Sequence, residues 1–415
     1  MRLTPAAAAS RRPARHHALP LLAMLFALEL ATPVASAARI VGFVSNRSAA
    51  ETVAGAHAFL DRSPNHTVLL RTTDQLAELT DNEAVALWDG ADAVLLLGVH
   101  GEQAPRLEGL LVDAPPPQRA TVLALSSDPR LTPLARIDGQ ATFAGVSEET
   151  LRALTHELSA ASDRAAERGR LSRAHPRQAA WLEAGAYREA RGSANVAGLL
   201  AWVAARHASG IAVPPPLGNA PVRYMVDAEL RPAEALALPA RPVVAILDYD
   251  SGDRSADRAI HASLCAALAE RELGCLSLLA RWGEASVEAL TSLPATLGDA
   301  ALTGVVVLQD FVVGGGEGRQ AATEALVTLD VPVISAVRLA DRERTEWQLS
   351  TDGVPWEKVH NQVAMPELQG QSQPHVVATD GPAQLDARTG LRVVGPLPLP
   401  GELARGAEVF MDESR

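Results

Sequence analysis

The chain is predicted to be an α/β protein built from two parallel-sheet lobes with a helical segment linking them. Short, nearly unbroken apolar runs such as "ADAVLLLGV" (91–99) and "GVVVLQDF" (304–311) recur along the sequence, as they do in strands covered on both faces. Between them lie stretches with apolar residues at helical spacing, the alternation of an open βαβ sheet. One all-helical stretch divides that alternation into an earlier and a later block. Hydrophobic residues make up 47% and charged residues 21%, which excludes a disordered chain, and 415 residues suffice for two such cores.

Residues 1–37 read as a leader. Arg2, Arg11, Arg12 and Arg15 form a basic front, an apolar run extends from Leu19 to Ala31, and Ala35-Ser36-Ala37 ends the segment. This is the layout of a secretory signal peptide, so export to the periplasm is expected. The run is shorter than the about 20 residues of a spanning helix, and Glu29 interrupts it; an uncleaved membrane anchor is the alternative. The segment carries four Arg and one Glu, so removing its +3 takes the formal charge from −12 to −15. An acidic chain repels nucleic acid and anionic lipid, and neither is expected as a partner.

The first lobe follows at 38–147. "ARIVGFVS" (38–45) is its first strand, then come a helix around Ala49 to Leu60, the strand "HTVLLRT" and a helix near Asn82 to Trp88. The runs at 91–99 and "RATVLALSS" (119–127) extend the sheet. Ser147, with acidic residues behind it, opens the helical linking segment at 148–222. In its last helix Ser193 can cap, Val196, Leu199, Leu200 and Val203 share a face, and Gly210 terminates. "VPPPLGNAP" (213–221) is stiff and extended, and 223–240 reads as a connector.

The second lobe, 241–340, begins at "RPVVAILDYD". It continues through a helix from Ser255 to Glu272, the strand "LGCLSLLA", a helix after Gly283, the run at 304–311, a helix from Arg319 to Leu329 and "VPVISAV". Such a succession of β-α units makes both lobes flavodoxin-like, with right-handed crossovers. Residues 341–415 form a proline-broken clip returning to the lobes and then a tail, with extended rather than helical backbone expected around Pro366 and Pro374.

Few residues suggest chemistry. "DYDSGD" sets Asp248, Asp250 and Asp253 at a strand's carboxyl end, where three carboxylates could hold magnesium, although acids capping the next helix would look the same. His100 follows a strand and precedes Glu102, a placement open to a ligand, a proton carrier or an idle loop histidine. "GGGEGR" (314–319) lies where phosphate loops lie but lacks a Lys-Ser/Thr ending; it reads as a flexible turn, and no ATP site is expected. No Ser-His-Asp or Cys-His arrangement assembles, so catalytic residues stay unassigned. Cys265 lies in a helix and Cys275 opens the next strand; two buried thiols are expected rather than a disulfide, and no zinc spacing is present.

The segments outside the strands carry a resemblance. "YREARGSANVAGLLAWVAARHASG" resembles the Tyr…Gly-x-x-Asn helix of the cobaltochelatase large subunit (CobN type), a family shared with the magnesium-chelatase H subunit, through Tyr187, Gly192 and Asn195. "LDVPVISAV" is similar to the family's Leu-Asp-x-Pro-Val strand, and "EWQLSTDGVPW" to its Trp-x-x-Ser-x-x-Gly pattern through Trp347, Ser350 and Gly353. "VAMPELQGQSQPHVVAT" follows the Val-Ala-x-Pro-Glu-Leu-Asp-Gly run through Pro366, Glu367, Leu368 and Gly370, with Gln369 standing where the family has Asp. The resemblance covers about 38–379 and corresponds to the N-terminal portion of such a subunit.

It implies a part in ATP-dependent insertion of cobalt or magnesium into a corrin or porphyrin, with separate AAA+ subunits hydrolysing the ATP. The residues it offers for ligand contact or lobe joining are Tyr187, Asn195, Trp347, Ser350, Glu367 and Gly370, each with a purely structural alternative: Trp347 as core, Asn195 and Glu367 as backbone ties. An exported, non-catalytic tetrapyrrole- or partner-binding module and a truncated gene product are the other two readings.

Overall fold

The computed structural model describes residues 37–160, 163–218, 220–238, 240–250, 255–351 and 353–399. Residues 1–36 of the leader-like segment lie outside the described residues. Among those described, no helix is long and apolar enough to cross a membrane.

In the first lobe, β1 (Arg39–Val44), β2 (Thr67–Thr72), β3 (Ala93–Leu97) and β4 (Thr121–Leu125) are parallel, and the short β5 (Arg136–Ile137) and β6 (Gln140–Ala141) close one edge antiparallel. The sheet order is β2-β1-β3-β4-β5-β6. Neighbouring residues of one strand serve opposite cores: Ile40 and Val44 enter one, Val41 and Phe43 the other. That two-sided burial is why the strands read as unbroken apolar runs. The connecting helices are α1 (Ala49–Arg62), α2 (Thr73–Ala77), α3 (Asp81–Leu87) and α4 (Gln103–Asp113); capping boxes Thr72/Gln75 and Thr80/Glu83 start α2 and α3.

The helices α5 (Glu148–Ala160), α6 (Arg164–Ala174), α7 (Ala179–Glu189) and α8 (Ser193–Ala204) do more than link. Leu182, Tyr187, Val196, Leu199 and Val203 enter the same core as Ile40 and Leu95, so they wall one face of the first sheet. α1 meets α8 at Gly55, where a Cβ would lie 2.5 Å from that of Val196 and 2.7 Å from the Ser193 carbonyl oxygen. Only glycine permits that approach.

The second sheet runs β16-β13-β12-β11-β9-β10-β7-β8. Its members are β7 (Val222–Val226), β8 (Glu229–Arg231), β9 (Val243–Tyr249), β10 (Gly274–Ala280), β11 (Leu302–Val307), β12 (Val333–Glu343), β13 (Ser372–Asp380) and β16 (Pro396–Pro398). The parallel centre, β10-β9-β11-β12-β13, has the flavodoxin order 2-1-3-4-5. α9 (Ser255–Ala269), α10 (Glu284–Leu297) and α11 (Gly315–Leu329) make the crossovers. The span read as a connector, 223–240, carries most of the β7–β8 hairpin, which pairs antiparallel with β10. The fifth parallel strand, β13, comes from beyond residue 340.

Three expectations are overturned. Cys265 and Cys275 form a disulfide, not two thiols, with Cα atoms 5.3 Å apart. A tight reversal through Glu272 (φ 61°) folds α9 onto β10, and both cysteines face one core cluster, so consecutive helix and strand positions come within bridging reach. The backbone around Pro366 is helical: α12 (Arg344–Leu349) is followed by α13 (Trp356–Val359), a π turn (His360–Ala364) and α14 (Met365–Glu367). Pro366 cannot donate to the Gln362 carbonyl, but that oxygen accepts from Ser335 Oγ at 3.4 Å, and the Met365 N–H reaches back to His360. The wider turn absorbs the proline. In the glycine-rich stretch, Gly315 onward is the first turn of α11 rather than a loose turn.

After β13 the chain returns to the first lobe as the hairpin β14 (Gln384–Leu385) and β15 (Arg392–Val393). Leu391 enters the first core, the Thr389 carbonyl accepts from the Leu70 N–H at 2.8 Å, and Gln75 Nε2 donates to the Gly390 carbonyl at 2.9 Å. β16 then pairs with β13 of the second lobe.

Candidate functional site

Open parallel sheets take ligands beyond the carboxyl ends of their strands, and here those ends meet across a crevice. Arg47, just past β1, pairs with Asp310, just past β11, at 3.2 Å. On the second lobe this edge includes the end of β9, which lies between β10 and β11. Gln309 is buried beneath it: its Nε2 donates to Ser286 Oγ at 2.9 Å and lies 3.4 Å from the carbonyl oxygens of Asp248 and Ala280. One amide therefore ties the ends of β9 and β10 to the start of α10.

Charges of both signs line the crevice. Burial lowers the ammonium of Lys358, the sole lysine of the chain, and Arg47 adds to that effect while Asp310 and Asp380 oppose it. Burial raises the Asp380 carboxyl to about 6; Lys358 works against the rise, Asp74 and Glu343 with it. Burial, then Asp310, pushes the Tyr249 phenol up. Beside this group Trp282 and Phe311 expose their rings, with centroids 6.1 Å apart.

Behind the crevice lies a chain that sequence reading did not assemble. His261 Nδ1 is 2.8 Å from Ser277 Oγ, and its Nε2 is 2.8 Å from Asp248 Oδ2. Arg338 pairs with the other oxygen of Asp248, which also accepts from the Tyr249 N–H at 2.6 Å. Burial works to raise the Asp248 carboxyl, but Arg338 and the contacts from His261 hold it below the usual carboxylate range. Ser277, His261 and Asp248 are all at most 1% exposed. No substrate reaches this hydroxyl, and the chain acts as a tie between α9 and the sheet.

The carboxylates proposed for a metal are otherwise engaged. Asp248 is held by Arg338 and His261, Asp250 by Arg223 through a two-nitrogen contact, and Asp253 lies outside the described residues. His100 is exposed, with Nε2 2.9 Å from the Ser126 carbonyl oxygen. Among the described residues no three His, Cys, Asp or Glu side chains converge as a metal site. Arginines fill the cationic positions instead.

The family-motif residues separate into buried ties and exposed surface. Asn195 Nδ2 donates to the carbonyls of Ala190 (2.5 Å) and Leu217 (2.9 Å), and its Oδ1 accepts from the Leu217 N–H at 2.8 Å. The Tyr187 hydroxyl donates to Pro214 at 2.6 Å, and its ring fills the space that a Cβ on Gly198 would need. Gly192 has φ 130°, a conformation open to glycine, and its N–H donates to Glu51 Oε2 at 3.2 Å. Glu51 also pairs with Arg188 and Arg191; burial draws the Arg188 guanidinium down to about 10 against the pull of Glu51. Trp347 and Ser350 are half-buried, so Trp347 is not core, and Glu367 and Gly370 are exposed.

Gln369, like Pro366, is buried in the Pro-Glu-Leu run. Its Oε1 accepts from the Val313 N–H at 2.8 Å, and its Nε2 donates to the Val313 carbonyl at 2.9 Å. An aspartate could not donate back. Arg47, Trp282, Gln309, Phe311 and Lys358 were not singled out from the sequence, although Arg47, Trp282 and Phe311 share one signal, a position a few residues past the end of a parallel strand.

A two-lobed, flavodoxin-like α/β chain with facing carboxyl edges is the class that these features define. A family model described as CobN/Magnesium Chelatase matches residues 185–407, and the chain belongs to that family. It is 43% identical over 81 residues to the chloroplastic magnesium-chelatase subunit ChlH of Oryza sativa, in both subsp. indica and subsp. japonica, covering 19% of this chain and 6% of that protein. The catalytic subunit of cobaltochelatase from Mycobacterium tuberculosis is similar in fold, with 18% identity and a TM-score of 0.50, over 91% of this chain and 27% of that one. The chain thus spans a small part of the length of these relatives.

Proposed function

We propose that this chain is the N-terminal part of a chelatase-type large subunit, and that its interlobe crevice contributes to binding a corrin or porphyrin for insertion or exchange of cobalt or magnesium. The observation that carries the reading is the facing pair of sheet edges, closed by the Arg47–Asp310 pair, in a chain of this family. The metal is substrate in this scheme. ATP hydrolysis belongs to separate AAA+ subunits where the chain is cytoplasmic. Titration of the purified protein with a metal-free porphyrin and with hydrogenobyrinic acid diamide tests the proposal. A saturable shift of the Soret or visible bands is expected, and unchanged spectra for both ligands refute it.

A second reading is an exported, non-catalytic binding module. It is favoured by the Cys265–Cys275 disulfide, since such bonds persist in oxidising compartments. Mass spectrometry of cell fractions decides between them: a chain cleaved near Ala37 in the periplasm supports export, and an intact N-terminus in the cytosol removes it.

A further inference from the structure

We propose that Trp282, Phe311 and Arg281 form a stacking platform at the switch point of the second lobe for a flat, conjugated ring bearing carboxylates. The proposal rests on the tetrapyrrole reading above and names the part of the crevice that would seat the ring.

Trp282 follows β10 and Phe311 follows β11, the two strands flanking β9, and the rings meet with centroids 6.1 Å and planes 59° apart at the strand ends where such sheets bind ligands. Aromatic residues make up only 4% of the chain, yet here Trp282 is 48% and Phe311 36% exposed. The indole is open but not loose. Its Nε1–H donates to the Val312 carbonyl at 2.9 Å, and the first turn of α11 runs beside it at Gly315, where a Cβ would lie 3.4 Å from the ring. The loop carrying Phe311 is fixed one step further on, where Gln369 grips both backbone groups of Val313. A rigid exposed ring loses little freedom when a flat ligand stacks on it.

Charges of both signs stand beside the rings. Arg281 directly precedes Trp282 at the end of β10, and the acid that precedes Phe311, Asp310, is paired with Arg47 at 3.2 Å. A guanidinium carried next to the indole in the chain suits the acid side chains of a planar ligand, because the guanidinium fork matches a carboxylate and stacks on aromatic faces.

The test uses the full chain and two probes of similar ring size, an octacarboxylic porphyrin and the cationic tetra(N-methylpyridyl)porphyrin, read by Soret shift and tryptophan quenching. Trp282→Leu, Phe311→Ala and Arg281→Gln should each weaken the octacarboxylic porphyrin by about tenfold or more. Trp282→Phe should retain most of the affinity, and thermal unfolding should show all four variants folded. Wild-type binding that survives Trp282→Leu, Phe311→Ala and Arg281→Gln unchanged overturns the platform while leaving the tetrapyrrole reading in place. Equal affinity for the cationic probe overturns the carboxylate assignment. Binding of neither probe overturns both.

Discussion

Replacing Gln369 with glutamate keeps the side chain's shape and removes one capability. The native amide accepts from the Val313 N–H at 2.8 Å and donates to the carbonyls of Val313 at 2.9 Å and Arg319 at 3.4 Å. An ionised glutamate still accepts but turns an oxygen toward those carbonyls. The lost bond is worth about 1 kcal/mol, and a buried carbonyl without a donor costs a further 1–3, so the loss should be about 2–4 kcal/mol near pH 7.5. The effect depends on pH with a definite sign. Burial against carbonyls raises the folded glutamate above its ordinary value of about 4.3, so the deficit is absent below that value and complete once pH passes the folded one. Protonated, the side chain can donate again. Urea unfolding at pH 7.5 and pH 4.5, followed by fluorescence of the neighbouring Trp282, should show a lowered midpoint at the first pH that largely recovers at the second. An unchanged midpoint at pH 7.5 would mean that Gln369 does not hold the 311–315 loop.

Two other outcomes are expected. Asp380, at about 6 against an ordinary 3.8, contributes stability that is present below about 3.8 and lost as pH rises through about 6. Asp380→Asn should therefore match the wild type in thermal unfolding at pH 4 and exceed it by about 1–2 kcal/mol above pH 6, allowing for partial exposure; parallel curves at both values would contradict the burial of this carboxyl. The Cys265–Cys275 bridge closes a separation of 10 residues and should stabilise by about 3 kcal/mol, visible as a lower unfolding temperature in reductant. Alkylation of the unreduced, denatured protein at two cysteines would show that the bridge is not there.

What could be read from the sequence follows from burial. Strands such as Ala93–Leu97, with both faces covered, carry a signal in every residue, and the flavodoxin-like character of both lobes was legible from them. β13 was not, because "SQPHVVATD" opens with polar residues and a proline on an outer strand whose first half is partly exposed. β7 and β8 hid for a similar reason, being short and lying toward a sheet edge. The disulfide depends on a reversal at Glu272 that no periodicity announces.

For the candidate site the motif residues were legible and their roles only in part, the backbone tie at Asn195 among them. Asn195 and Tyr187 hold backbone segments together, and so does Gln369, which the sequence marks only as a departure from the family pattern. Arg47 and Asp310 lie far apart in the chain and meet only because two lobes pack, which local patterns do not encode.

The hairpin at 384–393 bears on how the polypeptide matures during synthesis. Leu391 belongs to the first hydrophobic centre and the Thr389 carbonyl answers the Leu70 N–H, so a nascent chain emerging from the ribosome holds an unfinished β2 border until its late portion appears. Most of the second lobe is translated during that wait. A nick or premature stop shortly before residue 384 would therefore harm the oldest part of the molecule, not just the newest.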